Sequence, residues 1–131
     1  MRFSVVMPQL IAIAVGGAIG ALLRHTVAAW VQSQSANQFP WGTITVNLVG
    51  CFVIGLLFQV FEQSNLTQTQ RGFIFTGLLG AFTTFSTYGL DAVKLLQTGD
   101  LTGTAVKLLL SNGGGILLVF VGIAAGRALS Q

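Results

Sequence analysis

Apolar residues in this chain come in long runs separated by short polar segments. No charged side chain occurs from Phe3 to Leu23, from His25 to Phe61, from Gly72 to Leu90, or from Leu108 to Gly126. A helix that crosses the hydrocarbon core of a bilayer needs about 20 largely apolar residues. The second gap is longer than one span, but residues 31–42 are polar and turn-rich and read as a loop ending in Phe39-Pro40-Trp41-Gly42. The pattern predicts four membrane helices, roughly 6–30, 43–62, 71–96 and 102–128, in a single domain covering 1–131. Pro40 punctuates the loop, and Trp41 suits an aromatic anchor at the membrane surface.

Composition agrees with that reading. The 131 residues are 53% hydrophobic and 7% charged, against about 25% charged in an ordinary soluble domain. So few charges cannot cover a water-facing surface. The first apolar run is not expected to be a signal peptide, because it is long and Arg24 stands where a small-residue cleavage site would be needed. The net charge of +3 comes from scattered residues and does not point to nucleic acid. The single cysteine, Cys51, lies in an apolar span and reads as a small packing residue.

The basic residues carry topology instead. With four spans, Arg2, Arg71 and Arg127 fall on one side and Arg24, Lys94 and Lys107 on the other, three against three. Orientation follows a Lys/Arg imbalance, and here the count shows none. Either one residue dominates, with Arg24 and Lys94 inside spans, or the chain inserts both ways and can pair with its inverted self.

Several residues within the spans are unusual for hydrocarbon. Gly16 and Gly20 share a face of the first helix, and Gly122 and Gly126 repeat the spacing in the fourth. Such residues let helices approach closely, and Gly113-Gly114-Gly115 reads the same way. Arg24 either snorkels from near the helix end or serves a pathway, as ionisable residues within spans often do. Asn47 lies one turn into the second helix, with Thr43 on its face. It suits an interhelical hydrogen bond or an N–H donor to a passing anion. Asn112 leaves the same two readings open.

The third span is the most polar. Gly77-Leu-Leu-Gly80-Ala-Phe82-Thr83-Thr84-Phe85-Ser86-Thr87-Tyr88 packs four hydroxyls among three aromatics. Gly80 invites a break, and Thr and Ser hydroxyls can bend a helix by bonding its carbonyls. A break at membrane depth survives where it is buried or lines water. It would free carbonyl oxygens suited to a hard cation. The aromatics follow helical spacing, which suits packing, but rings also present positive edges. Asp91 caps the span, pairs with Lys94, or faces a vestibule. No triad, paired-carboxylate arrangement, Cys/His cluster or phosphate loop appears, so no enzymatic activity is expected.

These motifs together resemble the CrcB/Fluc family of small bacterial fluoride channels. The resemblance covers essentially the whole chain: Gly16-Gly-Ala-Ile-Gly-Ala-Leu-Leu-Arg24, Gly42-Thr-Ile-Thr-Val-Asn47-Leu-Val-Gly-Cys51, and Gly77 to Tyr88. It implies an all-α subunit of four transmembrane helices with a broken third helix, paired as an antiparallel, dual-topology homodimer in the bacterial inner membrane. It further implies a fluoride pathway of Asn47, Phe85, Tyr88, Thr43 and Ser111, with Arg24 at the pore entrance. A Na⁺ at the dimer centre would be held by backbone carbonyls of Gly80 and Thr83. The chain departs from the family at three places. Tyr88 stands where many members have Phe, Asp91 where Glu is common, and Gly115 and Val119 interrupt a polar track on the fourth helix.

Passive fluoride export is therefore the expected function. The alternative is a small proton-coupled multidrug exporter, also four helices, which would want a carboxylate in mid-membrane; Glu62, Asp91 and Asp100 do not read as mid-membrane residues. A non-transporting assembly subunit would explain the glycines but not the polar third span.

Overall fold

The structure is a computed structural model that describes residues 2–130, with side chains from Val6 onward. The side chain of Arg2, counted above as a topology marker, lies outside the described residues. All regular structure among them is helical. Four helices are long and apolar enough to cross a membrane: Val6–Ser33, Trp41–Val60, Gln68–Gln97 and Leu101–Leu129. Large apolar side chains such as Leu22, Trp30, Phe58, Leu109 and Phe120 face outward. Such a surface belongs in lipid, and the chain is a multi-pass membrane protein.

The connections are tighter than the polar runs suggest. The first helix continues to Ser33, and Trp41 already opens the second. Gln32 stitches this shortened loop: its Nε2 donates to the carbonyl of Phe39 at 3.1 Å, and its Oε1 accepts from the N–H of Gly42 at 3.2 Å. Phe39 packs at a tilt against Trp41, with ring centroids 4.7 Å apart and planes 57° from parallel. The second loop ends at a capping box. Thr67 Oγ1 accepts from the Gln70 N–H, while Gln70 Oε1 accepts from the Thr67 N–H. That satisfies amides the helix start would leave open. The last turn reverses at Gly99, whose φ of 77° suits glycine, and Asp100 caps the fourth span by accepting from the Gly103 N–H at 2.8 Å.

Two seams hold the bundle together. A Cβ added to Gly20 would collide with the carbonyl of Leu78, and one on Gly16 would press on Phe73 and Leu78. The first helix therefore lies directly on the third span. In the other seam, Gly55 abuts the backbone of Val119, Gly122 that of Phe52, and Gly126 packs on Leu56 and Gln59. The second and fourth spans meet backbone to backbone there, as small residues permit. The triple glycine is only partly of this kind. A Cβ on Gly114 or Gly115 would meet Leu48 or Cys51, but one on Gly113 would meet nothing within 4 Å.

The third and fourth spans are not uniform α-helix. Gly72–Leu79 and Leu109–Gly114 are π-helical, a wider winding that is rare and frequent at functional sites. The third span then changes course at Thr83 and Thr84, where the backbone is extended (φ −88°, ψ 158° and φ −146°, ψ 122°). Helix resumes at Phe85 and runs to Gln97.

Candidate functional site: a polar cleft around Thr83 and Thr84

An extended stretch inside a membrane helix leaves amides and carbonyls without their helical partners, and hydrocarbon cannot supply others. Asn47 supplies them. Its Oδ1 accepts from the Thr84 N–H at 2.8 Å, and its Nδ2 donates to the Thr84 carbonyl at 3.0 Å. Asn47 reaches this point because Gly50, one turn on, admits the Thr83 side chain against the second helix. The interhelical role foreseen for this amide is therefore real, and one Nδ2 hydrogen remains for another acceptor.

The hydroxyls divide in the same way. Thr83 Oγ1 donates to the Leu79 carbonyl at 3.2 Å, and Thr84 Oγ1 accepts from the Thr87 N–H as the N-cap of the restarted helix. Much of the polarity of this span serves its own backbone. Two carbonyls are released in consequence. The Thr84 N–H that would bond Gly80 in continuous helix goes to Asn47, and the Thr87 N–H that would bond Thr83 goes to Thr84 Oγ1. Gly80 lies on the outer surface of the subunit. The Thr83 oxygen is approached by Arg24 Nη1 at 3.4 Å.

Beside this point lies a cleft of about 320 Å³, lined by Asn47, Gly80, Thr83, Phe85, Tyr88 and Ser111 among others. Six of the eight residues singled out from sequence thus meet in one place. Thr43 and Arg24 do not line it; Thr43 is half-buried one turn before Asn47, and Arg24 sits behind Thr83. Phe85 is 82% exposed and stacks on Tyr88 with centroids 5.2 Å apart. Phe82 is outside the cleft and packs near Gly50 and Gly20. Ser111 Oγ is buried with no hydrogen-bond partner.

The sequence reading missed Lys107. It was counted as a marker of one membrane face, yet it is 0% exposed. Its Nζ donates to the Tyr88 carbonyl at 2.7 Å and lies 3.9 Å from the centroid of the Tyr88 ring. A signal was available: Thr104, Lys107 and Ser111 fall three and four residues apart, a polar stripe on one helix face. The even count of basic residues therefore does not survive as a count of face residues, since Lys107 is interior and Arg24 is held at Thr83. Asp91 neither caps nor ends a helix. It lies within Phe85–Gln97, with Oδ2 buried and unpartnered, in a second cavity that also includes Lys94.

Comparison with known proteins matches residues 11–123 to the family described as "CrcB-like protein, Camphor Resistance (CrcB)". The chain belongs to the CrcB family. Its relatives include proteins named "Fluoride-specific ion channel FluC". One from Agrobacterium fabrum is 46% identical over 118 residues, covering 89% of this chain and 94% of its own length. One from Rhizobium etli is 43% identical over 124 residues, covering 94% and 99%. One from Parabacteroides distasonis is 42% identical over 113 residues, covering 86% and 88%. The CrcB match spans both the Asn47 clamp and the cleft, so the site lies within the part of the chain that defines the family.

Proposed function

We propose that this CrcB protein is a fluoride-specific channel that lets fluoride leave the cell passively, down its electrochemical gradient. The observation that carries this reading is the similarity, over nearly the whole chain, to relatives named for that activity. The cleft suits the task. Fluoride is small and strongly hydrated, so a pathway must replace its water with donors. The free Nδ2 hydrogen of Asn47, the unpartnered Ser111 hydroxyl and the aromatic edges of Phe85 and Tyr88 are such donors. Thr43 stands one turn from Asn47, and Arg24 adds positive charge behind Thr83.

The conducting unit in this reading is an antiparallel homodimer built around the interrupted third span. Its support is the family resemblance, together with exposed Gly80 and Phe85 on the flank where the cleft opens. A Na⁺ at the dimer centre would be a structural ion, tying two subunits through backbone oxygens. Hard cations take oxygen ligands, and the released carbonyls of Gly80 and Thr83 are of that kind. Gly80 is the better fit, because the Arg24 guanidinium shares the Thr83 oxygen.

Fluoride efflux from liposomes containing purified protein tests the proposal. Fluoride should leave when charge is compensated by an added potassium ionophore, and chloride should not substitute. A proton-coupled exporter would instead move a cationic dye against a pH gradient and leave trapped fluoride in place.

A further inference from the structure

Tyr88 is held from three directions, by Lys107, Phe85 and Asn112. Lys107 holds its backbone carbonyl and lies over its ring. Phe85 stacks on the ring. Asn112 Nδ2 donates to its phenolic oxygen at 2.7 Å. The direction of that last bond is fixed. The same nitrogen lies 2.8 Å from the Leu108 carbonyl, which can only accept. Both amide hydrogens of Asn112 are thereby spent, and Tyr88 Oη must be the acceptor. Its own proton has no acceptor among the described residues.

We propose that the Tyr88 hydroxyl is a hydrogen-bond donor to the anion in the cleft, held with its proton available by Asn112 and positioned by Lys107. This rests on the channel reading and deepens it. Tyr88 lines the cleft together with Ser111, the residue beside Asn112, whose hydroxyl is buried and equally unspent. Two O–H donors lining one cleft, neither with an acceptor among the described residues, suit a small hard anion. Lys107 Nζ lies 3.9 Å from the ring centroid, and as an ammonium it draws electron density from the ring, which strengthens the phenol as a donor. Asn112 and Lys107 act through Tyr88 and are positioning residues.

The test compares wild type with Tyr88→Phe, which removes one oxygen and keeps the ring. Wild-type fluoride efflux by itself tests the channel reading. With that efflux present, Tyr88→Phe should raise the half-saturating fluoride concentration about ten-fold, the scale of one lost hydrogen bond to a charged partner. An unchanged value overturns the proposal and leaves the channel reading standing. Asn112→Ala supplies the second measurement. It should raise the same quantity in the wild-type background and have no further effect in the Tyr88→Phe background. Equal effects in both backgrounds would show that Asn112 does not act through the hydroxyl, and would overturn the proposal. Lys107→Arg should retain tighter binding than Lys107→Met; equal loss in the two would remove the ammonium from the account.

Discussion

Asn47 holds both backbone groups of Thr84, accepting from its N–H at 2.8 Å and donating to its carbonyl at 3.0 Å. One side chain thus replaces the two helical bonds that the extended pair cannot make. Asn47→Asp keeps the acceptor, loses the donor and sets a carboxylate against a carbonyl and a permeating anion. Fluoride efflux should fall at least ten-fold, with the protein less stable by about 1–2 kcal/mol from the lost bond. Efflux assays and thermal denaturation in detergent check the two parts separately.

The glycines make a contrast that needs no ligand. Gly20→Ala would drive a methyl into the Leu78 carbonyl and Gly122→Ala one into Phe52, whereas Gly17→Ala and Gly113→Ala meet nothing within 4 Å. The first two should destabilise the protein by about 1–3 kcal/mol, the scale of overpacking. The second two should leave its midpoint of thermal denaturation unchanged or slightly raised. Equal effects across all four would mean the seams are not as described.

Much of this was legible in the sequence, and the reason is physical. Lipid demands long uncharged runs, so the positions of charges mark the four spans. Close helix approach demands small residues, so Gly16, Gly20, Gly122 and Gly126 announce the seams. Lys107 was illegible as an interior residue because its burial depends on a carbonyl and a ring from another span. Charge counting treats every lysine as a surface marker, and only the helical register with Thr104 and Ser111 hints otherwise. The hydroxyls of Thr83 and Thr84 were legible as an excess of polarity. That such hydroxyls can bond their own helix carbonyls was also legible, and Thr83 does so. That Thr84 instead caps the restarted helix became visible only once the extended pair and its Asn47 clamp were in view.

Gly80 tests the assembly. It is exposed in the subunit, and the proposed dimer brings two copies together around a cation. In a Cys51→Ser background, Gly80→Cys should form a disulfide-linked dimer under mild oxidation, seen as a doubled mass on a non-reducing gel. A chain that stays monomeric under those conditions, at concentrations where the wild type is dimeric, speaks against a shared centre at Gly80.

Removing Na⁺ probes the carbonyl cage. Protein purified and reconstituted in N-methylglucamine salts should lose fluoride efflux and regain it when Na⁺ is restored. Full efflux throughout, with residual Na⁺ measured to be below the protein concentration, would leave the released Gly80 and Thr83 oxygens without that role.

The most direct measurement is fluoride efflux itself. Liposomes loaded with potassium fluoride and containing the purified protein should empty rapidly once an ionophore compensates the charge, while liposomes loaded with potassium chloride should hold their anion. Well-folded protein that releases no fluoride, or releases chloride equally fast, would contradict a fluoride-specific channel.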